Sequence, residues 1–411
     1  METKQPEPES TIKIKTAFIL FGISSLLPWN AILTQLQFFS NNLSGLDPFE
    51  SFSFLNFAFN IVLQFILLWK KDLFKIKYQL VLGLIFSIFF LILIPTLTIV
   101  LSKTKWLNAL TVILVLIMGL TNALLSSGFF AFVSFFPAEQ IVFLSTGQGF
   151  SGIIMNVIQY FIIAFSKSSY TGIIIFFIIS CAILLTTLIV LLFSLKSEYF
   201  KYYLELQDVN EINEIDAGNE IDNNENVNED EENLIKPKLT FCQMFNILKE
   251  IDILCCILYI VTFAEYPVGF NIELFKIGMD YSMNTVFIVY NVFDTLGRYL
   301  TSCFKTSKIL IYIIVLSRII LLVTIPIAFN LRVKNVGDNG FSNYAILINS
   351  ALLAITNGIG TTLCFAFAPS LVNDEYKGQA GASVSFFTIV GICLGSVLQF
   401  ATGQIFKKLR N

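Results

Sequence analysis

Four ionisable side chains, Glu265, Asp294, Arg298 and Arg318, interrupt long apolar stretches of this sequence. A charge at the centre of a bilayer costs at least about 2.5 kcal/mol, so ionisable residues inside apolar segments are candidates for a functional role. The formal charges of these four sum to zero, as mutual neutralisation would require. We therefore treat them as the first candidates for binding chemistry.

Asp294 and Arg298 are four residues apart, and Asn291 precedes Asp294 by three. On a helix this spacing places all three side chains on one face. A carboxylate accepts hydrogen bonds from hydroxyl groups and a guanidinium donates them, so this face is suited to a neutral ligand rich in hydroxyls. The alternatives are a buried structural ion pair and a gating contact, and one pair can serve two of these roles.

Polar side chains also form stripes on two earlier apolar segments. The residues of these stripes are Asn56, Asn60 and Gln64 on one segment, and Asn122, Ser126 and Ser127 on the other. The first three recur at every fourth position, which again places them on one helix face. Several helices with polar faces directed at a shared interior indicate a hydrated cavity.

Trp29 lies in the run Leu26-Leu27-Pro28-Trp29-Asn30, in the middle of an apolar segment. Tryptophan in a membrane protein usually lies at the headgroup level, where its N–H finds water. A tryptophan this deep, beside a proline that distorts the helix, could line a cavity and pack against a flat ring. A tryptophan that faces lipid or fills the core is the alternative.

The elements that position these residues are predicted to be membrane helices. The chain has 411 residues, of which 55% are hydrophobic and 13% are charged. Lipid offers no hydrogen bonds to the backbone, so apolar runs of about 20 residues must cross it as helices. The predicted crossings are 16–39, 51–69, 78–101, 107–135, 141–165, 171–195, 252–275, 282–304, 308–330, 343–369 and 379–406. The predicted fold is an all-α polytopic membrane protein with eleven transmembrane helices.

A loop of different composition divides these helices into six and five. It carries twelve Asp and Glu residues between Glu205 and Glu232 and no Lys or Arg there. Such a segment cannot bury enough apolar surface to fold alone. The predicted organisation is a cytoplasmic tail at 1–15, a six-helix bundle at 16–195, an acidic disordered cytoplasmic loop at 196–250, a five-helix bundle at 251–406 and a short exterior tail at 407–411.

The distribution of Lys and Arg predicts the orientation of the chain. With the N-terminus in the cytoplasm, 15 of the 26 lie in cytoplasmic segments, 9 in exterior segments and 2 within helices. This bias favours a cytoplasmic N-terminus and an exterior C-terminus. The plasma membrane is the expected location. Asp230 to Ile235 resembles an acidic dileucine sorting signal, so an endosomal or other organellar membrane is the alternative.

Composition also argues against several classes of chemistry. Histidine is absent and the seven cysteines show no CxxC spacing, so no metal, no cofactor and no enzymatic activity are predicted. The sequence has no Walker A motif, and Gly147 to Gly152 matches GxGxxG only within a membrane helix, where close helix packing explains it better. The expected partners are a small-molecule substrate and membrane lipids, without nucleic acid, and the chain is expected to work as a monomer.

Several motifs together resemble the equilibrative nucleoside transporter family. They are Leu26 to Asn30; Pro137 with Thr146-Gly147-Gln148-Gly149; Asn291-Val292-Phe293-Asp294-Thr295-Leu296-Gly297-Arg298; Arg318 with Pro326 and Asn330; and Asn357-Gly358 with Ala380-Gly381-Ala382 and Gly395. The resemblance covers nearly every predicted helix. It implies a major-facilitator-like fold of two helix bundles and transport of nucleosides by alternating access, facilitative and without ATP.

The resemblance also implies roles for particular residues. Leu26, Trp29 and Leu33 would border the nucleoside, while Asp294 and Arg298 would bind the ribose. The remaining predicted contacts are Asn60, Asn122, Ser126 and Asn291. Many family members have a base-reading glutamine where this chain has Ser126. The expected substrates are purine nucleosides, with nucleobases as a further possibility. The base preference depends on the difference at Ser126.

The alternative function is proton-coupled transport of another neutral polar solute, such as a sugar, by a major-facilitator-like protein. A membrane enzyme acting on lipids is a third class, but it would need a cluster of catalytic groups near the interface.

Glu265 and Arg318 complete the set of candidate residues. If Asp294 and Arg298 neutralise one another, Arg318 is the remaining charge opposite to Glu265. We therefore expect Glu265 and Arg318 to pair across helices in at least one conformation. A protonated Glu265 that exchanges its proton during transport is the alternative.

Overall fold

A computed structural model describes residues 8–44, 46–70, 75–165, 169–204, 241–303, 306–334 and 340–410. Within these ranges the chain forms α-helices joined by short turns and 3₁₀ segments. The helices of the first half are α1 (Ile12–Thr34), α2 (Leu36–Asn42), α3 (Pro48–Trp69), α4 (Ile76–Val100), α5 (Lys105–Val133), α6 (Ala138–Phe165) and α7 (Ser169–Ser194). Those of the second half are α8 (Phe241–Glu265), α9 (Met279–Leu300), α10 (Lys308–Ser317), α11 (Leu321–Lys334), α12 (Phe341–Phe367) and α13 (Lys377–Arg410).

Nine helical stretches of the described ranges are long and apolar enough to cross a membrane, which confirms the polytopic helical fold. The two other long helices are α8 and α9, of 25 and 22 residues. α8 differs from the nine by its charged residues Lys249, Glu250 and Asp252, and α9 by the polar stripe around Asp294. Eleven crossings and the division into six and five therefore stay predictions.

Several helix boundaries differ from the sequence prediction, most of all those of α8. α8 was expected at 252–275, but it begins at Phe241, inside the range predicted as loop, and ends at Glu265. Pro267 follows, and a proline lacks the N–H that would continue the helix. α13 runs to Arg410, so the predicted tail at 407–411 is mostly helical. The acidic stretch from Glu205 to Glu232 lies outside the described residues.

The two halves of the chain pack around a central space. α1 packs closely on α6, and α3 on α5, while in the second half α8 packs on α13 and α9 on α12. Contacts between the halves join α6 to α9 and α3 to α13. We call the side on which α1 begins the near side and the side on which it ends the far side. Lys15 and Glu139 form an ion pair of 2.7 Å on the near side, where α1 and α6 both begin.

Candidate functional site

A cavity lies between the two halves, with about 970 Å³ of empty space when the part open to solvent is included. Its wall in the first half consists of Ser25, Leu26, Trp29, Asn30, Leu33, Phe57, Asn60, Asn122, Ser126, Phe130 and Gln148. Its wall in the second half consists of Tyr259, Phe263, Tyr266, Tyr290, Asn291, Asp294, Arg298, Asn357, Phe365, Ser385, Thr388, Ile389 and Ile392. The mostly apolar lining with a few polar groups is typical of a small-molecule site.

All nine residues predicted to contact the substrate line this one cavity. They are Leu26, Trp29, Leu33, Asn60, Asn122, Ser126, Asn291, Asp294 and Arg298. They come from four helices that are distant in sequence, α1, α3, α5 and α9. Their direct contact with a substrate stays a prediction, but the structure brings the whole set together.

The ion pair of Asp294 and Arg298 is buried in the cavity wall. Arg298 Nε lies 2.7 Å from Asp294 Oδ2, and the two side chains are only 3% and 6% exposed. Asp294 Oδ1 accepts a hydrogen bond of 2.9 Å from Asn357 Nδ2 on α12. Each carboxylate oxygen therefore has a partner from its own half, and further acceptor capacity remains for a ligand.

Arg298 also reaches across to the first half. Its Nη1 donates to Ser145 Oγ and to Gln148 Oε1 on α6, both at 3.0 Å. Its Nη2 makes no hydrogen bond to the described residues, although the side chain lines the cavity. One guanidinium nitrogen thus joins the two halves, while another stays available to a ligand.

Glycines allow α9 to approach its neighbours closely enough for these contacts. A Cβ atom at Gly152 of α6 would overlap the amide of Asn291, and one at Gly297 would overlap the backbone carbonyl of Ile355 on α12. The glycine-rich run from Gly147 to Gly152 is therefore a helix-packing surface, as its position within a membrane helix predicted.

Trp29 lies on the cavity wall and is 6% exposed, so it does not face lipid. Its ring contacts Phe57 edge-to-face, with 5.1 Å between ring centroids. Phe57 in turn contacts Phe263 of the second half edge-to-face at 5.8 Å. These rings form an apolar, flat-sided part of the cavity between the two halves.

The polar stripes of α3 and α5 meet at a neighbouring part of the wall. Gln64 Nε2 donates to Asn60 Oδ1 at 2.8 Å and to Ser126 Oγ at 2.9 Å. Asn122 Nδ2 donates to Asn56 Oδ1 at 2.9 Å. Asn60, Asn122 and Ser126 line the cavity, whereas Gln64 and Asn56 lie behind them.

Glu265 and Arg318 lie outside the cavity lining and form no ion pair with one another in this conformation. Arg318 donates to the Leu353 carbonyl at 2.9 Å, to Thr356 Oγ1 at 2.8 Å and to Thr262 Oγ1. Glu265 is the last residue of α8 and is 1% exposed, and its Oε2 has no hydrogen-bond partner. The expected pairing is therefore absent from this state and stays a prediction for another.

A chain of hydrogen bonds connects Arg318 to Asp294 instead. Thr262 Oγ1, which accepts from Arg318, lies 2.9 Å from Asn357 Oδ1 and 3.0 Å from the Leu258 carbonyl, so its one hydrogen can be donated to either acceptor. Asn357 then donates to Asp294. Arg318 is thus linked to the ion pair through two neutral side chains from α8 and α12.

Sequence reasoning missed several residues of the site. Tyr290 precedes Asp294 by four residues, so its position on the same face was available from spacing. Gln148 and Asn357 lay within the family-like motifs but were assigned no role. Tyr266 stacks on Tyr290 at 4.3 Å, and no periodic signal could have placed it, because it lies in the turn after α8. Asp252 is also buried, bonded to Ser383 Oγ at 2.8 Å, and was not counted among the intramembrane charges.

A cavity with a few polar groups between two packed halves of a polytopic helical protein is the arrangement of a membrane carrier. Solved structures agree on the fold. The chain matches the human organic anion transporter MFSD10 with a TM-score of 0.60 and 12% identity, covering 99% of this chain and 97% of that one. It matches the E. coli fucose:proton symporter FucP with a TM-score of 0.55 and 14% identity, covering 98% and 100%. The major-facilitator-like fold is thereby confirmed.

Sequence comparison identifies the family. The family profile described as "Nucleoside transporter" matches residues 110–403, and the chain belongs to this family. It is 24% identical to the human protein "Equilibrative nucleoside transporter 1" over 97% of this chain and 98% of that protein. It is also 24% identical to the mouse "Equilibrative nucleoside transporter 2", over 93% and 95% of the two chains.

Proposed function

We propose that this protein carries purine nucleosides across a membrane through the central cavity, by alternating access and without ATP. The observation that carries the proposal is the convergence of nine predicted contact residues, including a buried carboxylate and guanidinium, on one cavity. A nucleoside is neutral, flat at one end and rich in hydroxyl groups at the other. The cavity offers complementary groups to both ends.

The ribose lies at the Asp294–Arg298 pair in this proposal. Asp294 accepts hydrogen bonds from ribose hydroxyls, and the free Nη2 of Arg298 donates to a hydroxyl oxygen. A free nucleobase would leave these groups without their hydroxyl partners. We therefore propose nucleosides as the principal substrates and nucleobases as poorer ones.

The base packs against the rings near Trp29 and Phe57, and its edge faces the wall formed by Asn60, Asn122 and Ser126. A two-ring base covers more of this apolar surface than a single ring does, which supports a preference for purines. The amide and hydroxyl wall offers both donors and acceptors to the base edge.

Contacts on both sides of the cavity support alternating access. On the near side, Phe130 stacks on Phe365 with 3.5 Å between centroids, and Ser145 Oγ lies 2.7 Å from Thr362 Oγ1. Toward the far side, Phe57 contacts Phe263. These small contacts between the halves can separate on one side at a time, which would open the cavity to that side.

We further propose that the monomer is the working unit and lies in the plasma membrane with a cytoplasmic N-terminus. The excess of Lys and Arg in the segments on the near side supports this orientation.

Counterflow in proteoliposomes tests the proposed function. Vesicles preloaded with unlabelled adenosine or inosine should take up the labelled nucleoside, whereas fucose and xylose should neither exchange nor compete. Empty liposomes are the control. Exchange of a sugar in the absence of any nucleoside exchange would contradict the proposal.

A further inference from the structure

α5 and α13 belong to different halves, and each has a face that begins in the cavity wall and continues toward the near side. On α5, Ser126 and Phe130 line the cavity, and Ser134 follows at the same spacing of four residues. On α13, Ser385 lines the cavity, and Gly381 lies four residues closer to the near side. Residues four apart share a helix face, so both faces run from the cavity to the near side.

The two faces meet at Gly381. A Cβ atom at this position would overlap Ser134 Oγ and would lie 2.7 Å from the Phe130 carbonyl oxygen, which is backbone and cannot turn aside. Ser134 Oγ is held in place as well, because it donates to that same carbonyl at 2.7 Å. Only a residue without a side chain therefore allows α13 to lie this close to α5.

The contact at Gly381 continues into the stacked rings of Phe130 and Phe365, which both line the cavity. We call Phe130, Ser134, Phe365 and Gly381 the near-side seal. The three side chains of the seal are buried, so it closes the cavity toward the near side in this conformation. In alternating access, a substrate leaves toward the near side only after the two halves part here.

We propose that Gly381 sets the balance between the two open states of this carrier, because the absence of a side chain there lets the near-side seal close. The inference rests on the proposed function, since it assumes that the halves part on one side at a time. A methyl group at this position would oppose the closed seal and would meet no resistance once the halves have parted. It should therefore shift the population toward the state that is open on the near side.

Gly391 offers a matched control on the same helix. A Cβ atom there would overlap the Cys256 carbonyl oxygen of α8, which is also backbone. α8 and α13 both belong to the second half, so this contact is kept whichever side of the cavity opens. Gly381→Ala and Gly391→Ala therefore add the same methyl group against backbone, but only the first pushes the two halves apart.

The experiment measures how fast a cysteine in the cavity wall reacts with a membrane-impermeant thiol reagent added from each side. The cysteine is introduced as Ser385→Cys, the chain without it gives the background, and sealed vesicles of both orientations give the two rates. Gly381→Ala should raise the ratio of near-side to far-side labelling by at least about fivefold. Gly391→Ala should leave the ratio unchanged. A loss of folded protein alone would lower both rates without changing their ratio.

Three outcomes would overturn the inference: an unchanged ratio in Gly381→Ala, a shift toward far-side labelling in that variant, or an equal shift in Gly391→Ala. If Gly381→Ala does not fold, Ser134→Leu decides, because it places the added bulk on the α5 side of the same contact. It should shift the ratio in the same direction, and an unchanged ratio would again overturn the inference. Absence of all nucleoside exchange by the wild type would instead refute the proposed function.

Discussion

The Asp294 carboxylate accepts from Arg298 on one oxygen and from Asn357 on the other, and Arg298 continues to Ser145 and Gln148. The charges are therefore compensated within the wall while part of the hydrogen-bonding capacity of both side chains stays open to the cavity. Removing one charged partner of a buried pair leaves the other uncompensated, which costs about 3–5 kcal/mol. Function and folding must be measured separately at these positions.

Arg298→Lys keeps the charge but loses the planar fork that contacts Asp294, Ser145 and Gln148 together. We expect nucleoside uptake per folded molecule to fall by at least about tenfold, because hydrogen bonds to charged groups contribute about 1.5–3 kcal/mol each. The measurement is initial uptake normalised to the monodisperse protein recovered from the membrane. Wild-type uptake by this variant would place the guanidinium outside the substrate path.

Trp29 supplies a flat face beside Phe57, so a ring should be needed at this position. Trp29→Phe should raise the apparent KM less than Trp29→Leu, since aromatic pairing contributes about 0.5–1.5 kcal/mol beyond area burial. A competition assay with unlabelled nucleoside gives the affinities of both variants. Equal affinities would show that Trp29 only fills space.

Arg318 and Glu265 should respond differently to the loss of charge. Arg318→Gln removes bonds to Leu353, Thr356 and Thr262, so we expect the free energy of unfolding to fall by about 2 kcal/mol or more. Glu265→Gln removes no ion pair in this conformation and should lower stability less than Arg318→Gln does. Thermal unfolding in detergent compares the two. Equal destabilisation would support a Glu265–Arg318 pair.

Of all the helices, α9 is the one for which the sequence best predicted the side chains that face the cavity. The spacing of Asn291, Asp294 and Arg298 alone defined its polar face, because a helix repeats every 3.6 residues. The start of α8 was misplaced because Lys249 and Glu250 interrupt the apolar run before 252, and its end was misplaced because apolar residues continue past Pro267. The partners of Arg318 were also missed, because depth in the membrane does not reveal which neighbouring helix lies alongside. Thr262 and Thr356 come from two other helices, and only packing brings them to Arg318.

The contact between α9 and α12 depends on Gly297. A Cβ there would overlap the Ile355 carbonyl, which is backbone and cannot turn aside. Gly297→Ala should separate the helices, loosen the Asp294–Asn357 bond and lower stability by about 1–3 kcal/mol. Gly128→Ala is the control, since its nearest atoms belong to the movable side chains of Gln79 and Leu80. Similar stability and uptake of the two variants would refute a required close approach.

At the scale of the whole molecule, the two halves contribute different groups to the binding site. The second half holds the charged pair, and the first half holds Trp29 and the amide wall, so a ligand between them contacts both. A substrate that bridges the halves can favour a closed state, because it binds that state better than the open ones. The fold class followed from composition, but the closed arrangement of the halves did not, since it depends on contacts such as Phe130 with Phe365.

The central claim is that ribose hydroxyls bind Asp294. The most direct test is a cycle that combines a change in the substrate with a change in the protein, measuring the apparent affinity of inosine and 2′,3′-dideoxyinosine for the wild type and Asp294→Asn. In the wild type, removal of the hydroxyls should weaken binding by at least about tenfold, because the buried carboxylate loses its partners. In Asp294→Asn, that penalty should largely disappear. The same penalty in both proteins would show that the hydroxyls lie elsewhere and would contradict the account.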